Sequence, residues 1–195
     1  MAGLPERRRV RDAELMRALA HPLRTELLGY LMSAGPRTAT QCAEAVGATA
    51  SNCSWHLRQL AEFGLVERAE GDNARERPWR ARQVGLDFGT VDPGSAAHTA
   101  HLGMLGANLA EEQTLTQRAL DVLETVPEAW RDAMAVNRYG LRLTAEELTA
   151  LIEQVDALIR PYVSTVRTEA PRDARPVYVG LRAFLRIDAD GKPSA

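Results

Sequence analysis

A run of polar side chains between residues 49 and 59 has the types and spacing needed to read DNA. The apolar residues Cys53, Leu57 and Leu60 recur at helical spacing, which puts the polar residues between them on the opposite face. Asparagine and glutamine bond adenine edges, serine and threonine bond bases or phosphates, and arginine bonds guanine or phosphate. An ordinary solvated helix face is the alternative. The predicted DNA-reading surface consists of Thr49, Ser51, Asn52, Ser54, Trp55, His56, Arg58 and Gln59.

Arginines lie on both sides of this segment. Arg75, Arg77 and Arg80 follow it, where they are predicted to clamp phosphates. An N-terminal arm precedes it, and arginines of this kind enter narrow minor grooves or remain in a solvated tail; both interpretations stay open. The arm contains Arg7, Arg8, Arg9 and Arg11. The sign of the charge agrees with a phosphate-facing N-terminal part, because residues 1–90 carry a net +2 and the rest of the chain a net −4.

Cysteine and histidine residues do not form a metal site of familiar spacing. Cys42 and Cys53 are the two cysteines, and Cys53 occupies an apolar position of the predicted helix. His98 and His101 are three residues apart on a predicted helix, a spacing that brings two ligands to one face. We predict no metal and no cofactor. A metal-sensing protein, or a thiol switch between the two cysteines, is the alternative.

Motifs of enzymes and of membrane proteins are missing from the sequence. There is no glycine-rich phosphate loop, no nucleophile elbow and no His-Glu-x-x-His, so we expect no catalytic activity. The chain has no apolar run of about 18 residues, which predicts no membrane partner. The short basic N-terminus lacks a hydrophobic segment, and two cysteines are no disulfide framework. We therefore expect a cytoplasmic protein.

The periodicity of the first 90 residues predicts helices followed by a hairpin. A helical pattern covers residues 11–33 with a break at His21 and Pro22, where proline suits a first helical position. A third helix is predicted from Thr38 or Thr40 to residue 47, and a fourth over 49–63. Two strands are predicted over 65–69 and 79–84, with a polar, turn-rich loop between them. This order is typical of a winged helix-turn-helix.

Two stretches of this region resemble the ArsR-like family of bacterial winged-helix repressors. They are Leu-Ala-His-Pro-Leu-Arg-Thr-Glu-Leu-Leu at 19–28 and Ser-Trp-His-Leu-Arg-Gln-Leu-Ala-Glu-Phe-Gly-Leu-Val at 54–66. The resemblance covers residues 12–84 and implies a cytosolic homodimer that binds an inverted repeat of double-stranded DNA as a repressor. It also implies DNA contact at Ser51, Asn52, Ser54, Trp55 and His56, although the family usually has a smaller or charged residue in place of Trp55. The family's Cys-x-Cys pair and its helix-borne aspartate are missing here.

The second half of the chain predicts a dimerisation helix and a cap. A long helix is predicted with Asp92 as its cap and Pro93 as its first residue, extending to about Val126. One face of it is a stripe of small residues, which is predicted to pack against a two-fold mate or, as the alternative, against the chain's own winged domain. These residues are Ala96, Ala100, Gly103, Ala107 and Ala110. A strand over 133–143, a helix with a Thr144–Glu147 capping box and a strand over 177–187 then predict a small β-α-β cap. The cap is predicted to bind a small-molecule effector, to extend the dimer, or both.

We therefore predict a mainly α protein with small β parts, in three units. Residues 1–90 form the winged helix-turn-helix domain, 91–127 the long dimerisation helix, and 128–195 the α/β cap. The predicted function is a sequence-specific, DNA-binding transcriptional repressor that binds an inverted-repeat operator as a homodimer. The alternative is a protein-interaction adaptor, but an adaptor would expose apolar residues where this chain has a polar face and arginines.

Overall fold

A computed structural model describes residues 6–70, 77–89, 91–167 and 169–194. Most of the ordered elements are helical. Four helices precede the first antiparallel sheet, and each begins where a capping residue or a proline suits a helix start. They are α1 (Ala13–Leu19), α2 (Pro22–Ala34), α3 (Ala39–Val46) and α4 (Ala50–Glu62).

The described residues also form two small sheets. Strand β2 (Val66–Arg68) pairs antiparallel with β3 (Trp79–Ala81), and Arg37 adds an isolated bridge to Trp79. The second sheet was not expected from the sequence: β1 (Arg8–Arg9) pairs in parallel with β4 (Leu86–Asp87). Strands β2 and β3 are shorter forms of the strands that were predicted at 65–69 and 79–84. The predicted loop between them falls mostly on residues 71–76, which lie outside the described residues.

One hydrophobic core holds the helices and the β2–β3 sheet together. Its most enclosed side chains include Leu27 and Leu31 from α2, Leu57 and Leu60 from α4, and Leu65. Deleting such a side chain removes its transfer free energy and leaves a cavity, so these contacts fix where α4 lies. The outer face of α4 is thereby held in one orientation.

Helix α5 (Ala96–Asp121) begins three residues later than predicted. Gly94 has a positive φ of 81°, and the Ser95 side chain caps the helix by accepting the amide of His98 at 3.0 Å. Ala100 and Met104 are buried where α5 packs against α1. The predicted small-residue stripe is thus divided: Ala100 packs inside the chain, whereas Ala96 and Ala110 remain exposed.

A different stripe of α5 is open. Leu102, Leu105 and Leu109 are 54%, 36% and 47% exposed. Gly106 lies among them, and a Cβ added there would meet no atom within 4 Å. Residues at i, i+3, i+4 and i+7 share one face of a helix, so these four form a continuous apolar surface, which we call the leucine stripe.

The predicted β-α-β cap is not formed in the single chain. Helices α6 (Glu128–Ala133) and α7 (Ala145–Ile159) are present, and the capping box of Thr144 and Glu147 is confirmed. Residues 134–143 and 176–186, however, adopt no strand and have no ladder partner among the described residues. Their apolar side chains are exposed, for example Val136 at 84% and Phe184 at 80%. Alternation predicts a preference for strand, but a strand forms only where a neighbouring edge supplies its hydrogen bonds.

Candidate nucleic-acid interface

A short turn between α3 and α4 sets the orientation of the exposed helix. A capping box starts α3: Thr38 accepts the amide of Gln41 at 3.2 Å, and the Gln41 side chain accepts the amide of Thr38 at 2.9 Å. Gly47 ends α3 with φ of 68°, in the left-handed region that glycine adopts without steric cost. The next helix starts at once, because the Thr49 hydroxyl accepts the amide of Asn52 at 3.2 Å.

The outer face of α4 presents a mixed polar and aromatic surface. Ser51, Asn52, Trp55 and Arg58 are exposed, and Trp55 is 50% exposed. Arg58 donates to the Ser54 hydroxyl at 2.9 Å, which holds its guanidinium along the helix surface. Among the described residues the Asn52 side chain makes no hydrogen bond, since only its backbone amide serves the cap. Both its donor and its acceptor are therefore available to a base edge.

Thr49 and Gln59 lie at the border of this surface. Thr49 is exposed, but its hydroxyl is already engaged as the helix cap. Gln59 is half-buried and donates to the Glu62 carboxylate at 3.2 Å. Reaching DNA would require Gln59 to give up that bond, so the centre of the exposed face lies nearer the helix N-terminus.

His56 was predicted on the outer face, and that placement is wrong. Its side chain is 5% exposed and lies 4.4 Å, ring centre to ring centre, from His21, which precedes α2. Burial lowers the pKa of His56, and the neighbouring His21 and Arg24 lower it further, so its neutral form is favoured. By helical spacing, His56 lies at the boundary between the outer and inner faces of α4. Its contact with His21, which is distant in sequence, places it on the inner face.

Three arginines form a positive surface between α4 and the β2–β3 sheet. The Arg68 guanidinium lies over the Trp79 ring, 3.8 Å from the ring centre. Partial burial lowers the pKa of Arg68, and the positive charges of Arg77 and Arg58 lower it further. Arg68 also donates to the Arg77 carbonyl. We call Arg58, Arg68 and Arg77 the arginine surface. Arg68 was not predicted from the sequence, because its position opposite Trp79 depends on strand register.

The other arginines of this sheet are engaged within the protein or not described. Arg80 donates to Glu67 at 2.8 Å, and Arg82 forms an ion pair with the same carboxylate at 3.1 Å. The charge of Arg80 is therefore partly neutralised, which makes it a weaker candidate phosphate ligand than its sequence position indicated. Arg75 lies outside the described residues.

The N-terminal arm is attached to the fold. Arg8 donates to the Gly64 carbonyl at 3.1 Å, Arg11 pairs with Asp87 at 3.6 Å, and Arg7 pairs with Asp156. Arg9 lies 4.0 Å from the Asp87 carboxylate, with a side chain that is 78% exposed. Neither a fully solvated tail nor a free arm describes this segment, because β1 fixes its backbone beside β4.

The two cysteines are buried thiols. Burial raises the pKa of Cys42 to about 11, with Cys53 as a further cause, and burial also raises the pKa of Cys53. Since the thiolate is the reactive form, both groups have low reactivity at neutral pH. Within the described ranges, no group of three or more histidine, cysteine, aspartate or glutamate side chains is arranged to hold a metal ion.

Comparison with known proteins identifies the region that carries this surface. Residues 19–69 match the model of a helix-turn-helix domain family. The match runs from the end of α1 through α4 to the end of β2, and it contains most of the arginine surface. No curated protein matches the chain. In the part of the chain that the structure describes, no helix is both long and apolar enough to cross a membrane.

Proposed function

We propose that this protein is a sequence-specific DNA-binding transcriptional repressor of the ArsR-like type, with α4 as its recognition helix and β2–β3 as its wing. The helix-turn-helix domain indicates a DNA-binding regulator. The observation that carries the finer proposal is the exposed outer face of α4, which combines unpaired Asn52 with the adjacent arginine surface. Base-edge contacts supply specificity, and cationic phosphate contacts supply affinity.

The proposed roles follow from exposure and existing bonds. Asn52 and Ser51 reach base edges in the major groove, while Arg58 and Arg77 contact phosphates on either side. Arg68 maintains the wing through its contact with Trp79 and adds positive charge. Trp55 contacts a thymine methyl group or the sugar-phosphate wall.

The proposed active form is a homodimer on an inverted repeat. One recognition helix reads only a few base pairs, and a two-fold axis doubles those contacts over half-sites about one helical turn apart. The leucine stripe, rather than the small-residue stripe, is the proposed seam, because it is apolar and unoccupied in the single chain. Repression follows when the bound dimer excludes other proteins from the same DNA.

The test begins with DNA fragments that the protein retains from its own genome. Asn52→Ala is expected to weaken binding of a selected fragment by about 1–3 kcal/mol, with little change on unrelated DNA. Asn137→Ala is the matched control, since Asn137 is exposed in the segment 134–143. Gel-shift titrations of both variants measure the difference. Equal affinities of Asn52→Ala and Asn137→Ala for the selected fragment would contradict the recognition role of α4.

Arg77→Ala tests the phosphate contact separately. The substitution should weaken binding of selected and unrelated DNA alike. It should also reduce the slope of log affinity against log salt concentration by the amount expected for about one lost phosphate contact. Arg142→Ala, an exposed arginine far along the chain, is the control. A salt dependence that remains unchanged in Arg77→Ala would remove Arg77 from the interface.

A further inference from the structure

A small cavity lies between the helix-turn-helix region and the C-terminal segment. It measures about 190 Å³ and is bounded by α2, the end of α3, the C-terminal half of α5 and residues 176–178. Apolar walls come from Val46, Leu115 and Val177, and aromatic rings from Tyr30 and Tyr178. A dry cavity of about 150 Å³ accepts benzene in another protein, so this volume suits one ring with a short substituent.

One carboxylate in the wall of the cavity has no partner. No hydrogen bond or ion pair of the described residues reaches Glu111, although it is half-buried. By contrast, Glu26 pairs with Arg118 at 2.9 Å, and Glu112 accepts the Tyr178 hydroxyl at 2.7 Å and pairs with Arg182 at 3.1 Å. The neighbouring charges therefore satisfy one another and leave Glu111 alone.

The backbone is shaped around this carboxyl group. Gly29 lies inside α2, where glycine costs about 1 kcal/mol relative to alanine. A Cβ at residue 29 would lie 2.6 Å from Oε1 of Glu111, so a side chain there would displace the carboxyl group. Glycine at this position keeps room for Glu111 against α2, which is a reason for tolerating the weaker helix.

The electrostatic setting of Glu111 favours a cation. Burial raises the pKa of Glu111 to about 7, and the charges of Glu26 and Glu112 contribute. Arg118 and Arg182 already pair with other carboxylates, and the remaining polar side chains of the wall are the hydroxyl groups of Ser33, Tyr30 and Tyr178. A bound ammonium would offset the desolvation of Glu111, and tyrosine rings attract cations as well.

We propose that this cavity is a ligand site for a small primary amine that carries one aromatic or compact apolar group. The ammonium pairs with Glu111, and the apolar body packs between Tyr30, Val46 and Val177. An anionic ligand is disfavoured because no free cation lines the wall within the described residues.

The position of the cavity gives the ligand a route to α4. Val46 and Ala45, at the end of α3, form part of the wall, and Val46 also belongs to the core that supports α4. This consequence rests on the proposed DNA-binding function, whereas the ligand site itself does not. An occupant that moves the end of α3 would change the orientation of the exposed helix relative to DNA.

Calorimetric titration of the full chain with benzylamine tests the site without DNA. Benzyl alcohol and benzoate serve as neutral and anionic probes of similar shape. Glu111→Gln is expected to weaken benzylamine binding by about tenfold or more, the loss of a partly desolvated charge pair. Glu124→Gln, an exposed glutamate beyond the end of α5, is the matched control and should bind as the wild type does.

The pH dependence gives a second readout. The ionised carboxylate is required, so affinity is highest above the pKa of about 7 and falls as pH drops below it. Benzylamine binding should be about tenfold weaker at pH 6 than at pH 8, and this dependence should vanish in Glu111→Gln. The proposal is overturned if benzylamine does not bind at millimolar concentration, if benzyl alcohol or benzoate binds equally well, or if Glu111→Gln binds benzylamine unchanged.

The coupling to DNA is measured separately on a fragment that the protein retains. Saturating benzylamine should change its affinity by about threefold or more, and should not do so in Glu111→Gln. Benzylamine binding with no change in DNA affinity would overturn the coupling and leave the site intact. Failure of the protein to retain any DNA would count against the proposed function, while the calorimetric result would still decide the ligand site.

Discussion

The two halves of this chain use similar sequence patterns with different results. Every buried apolar side chain among the described residues lies between Val10 and Met104. Beyond Met104 the described residues contain helices and alternating apolar segments, but none of their side chains is buried. A sequence pattern defines the preference of a segment, whereas burial depends on whether the same chain supplies the opposite surface.

The accessible surface area of the chain is large for its mass, which agrees with the lack of buried side chains among the described residues of the second half. The accessible area is 13977 Å² for a mass of 21.4 kDa. A compact monomer of that mass exposes about 9,100 Å². The excess is larger than the roughly 800 Å² that each partner buries in a standard interface. A second copy that covers the leucine stripe would therefore account for only part of the exposed area.

The largest expected contrast between the halves concerns single leucines. Leu31 is fully buried in α2, and Leu31→Ala should lower the free energy of unfolding by about 2–5 kcal/mol. Leu181 is 52% exposed, and Leu181→Ala should change it by less than about 0.5 kcal/mol. Urea titrations at low protein concentration measure both. A loss above about 2 kcal/mol for Leu181→Ala would mean that the Leu181 side chain is buried in the folded monomer.

How far the sequence predicts the structure also differs between the halves. In the first half, helix starts were predicted at Pro22, at Thr38 or Thr40, and near Thr49, because caps and proline act within a few residues; the structure has its caps at Thr38 and Thr49. The pairing of β1 with β4 was missed, since it joins segments about 78 residues apart and neither strand has more than two residues. In the second half, the helix that begins at Ala145 was predicted from its local box, but the strands that depend on a partner were not formed.

The candidate site shows the same limit. Exposure of Ser51, Asn52 and Arg58 follows from helical periodicity, which the sequence displays. The burial of His56 and the stacking of Arg68 depend on contacts with His21 and Trp79, which come from other elements. Helical periodicity alone does not show which side chain from another element will pack against a residue at the edge of a helix face.

The next contrast compares the two stripes of α5. Replacing both Leu102 and Leu109 with serine should raise the dissociation constant of the proposed dimer by about a hundredfold or more, since a two-fold axis along the leucine stripe would bury each leucine twice. Replacing Ala96 and Ala110 with glutamine tests the small-residue stripe and should leave the dimer intact. Sedimentation velocity over a range of concentrations measures both. The reverse outcome, a dimer lost only in the alanine pair, would restore the small-residue stripe as the seam.

The smallest contrast uses the same capping box in both halves. Thr38 and Gln41 start α3, which has three buried residues, and Thr144 and Glu147 start α7, which has none among its described residues. Each threonine accepts an amide, at 3.2 Å and 3.1 Å respectively, so the local cost of substitution by alanine should be similar, about 1 kcal/mol. The two substitutions should differ in which part of the protein they destabilise.

Thr38→Ala should lower the free energy of global unfolding by that amount, because α3 unfolds together with the core. Thr144→Ala should leave global unfolding unchanged and instead increase hydrogen exchange at the amides of α7, because an exposed helix opens by itself. Urea titration and amide exchange on the two variants separate these outcomes. If Thr144→Ala also destabilised the core by about 1 kcal/mol, α7 would fold as one cooperative unit with the first half, and the division at Met104 would not hold.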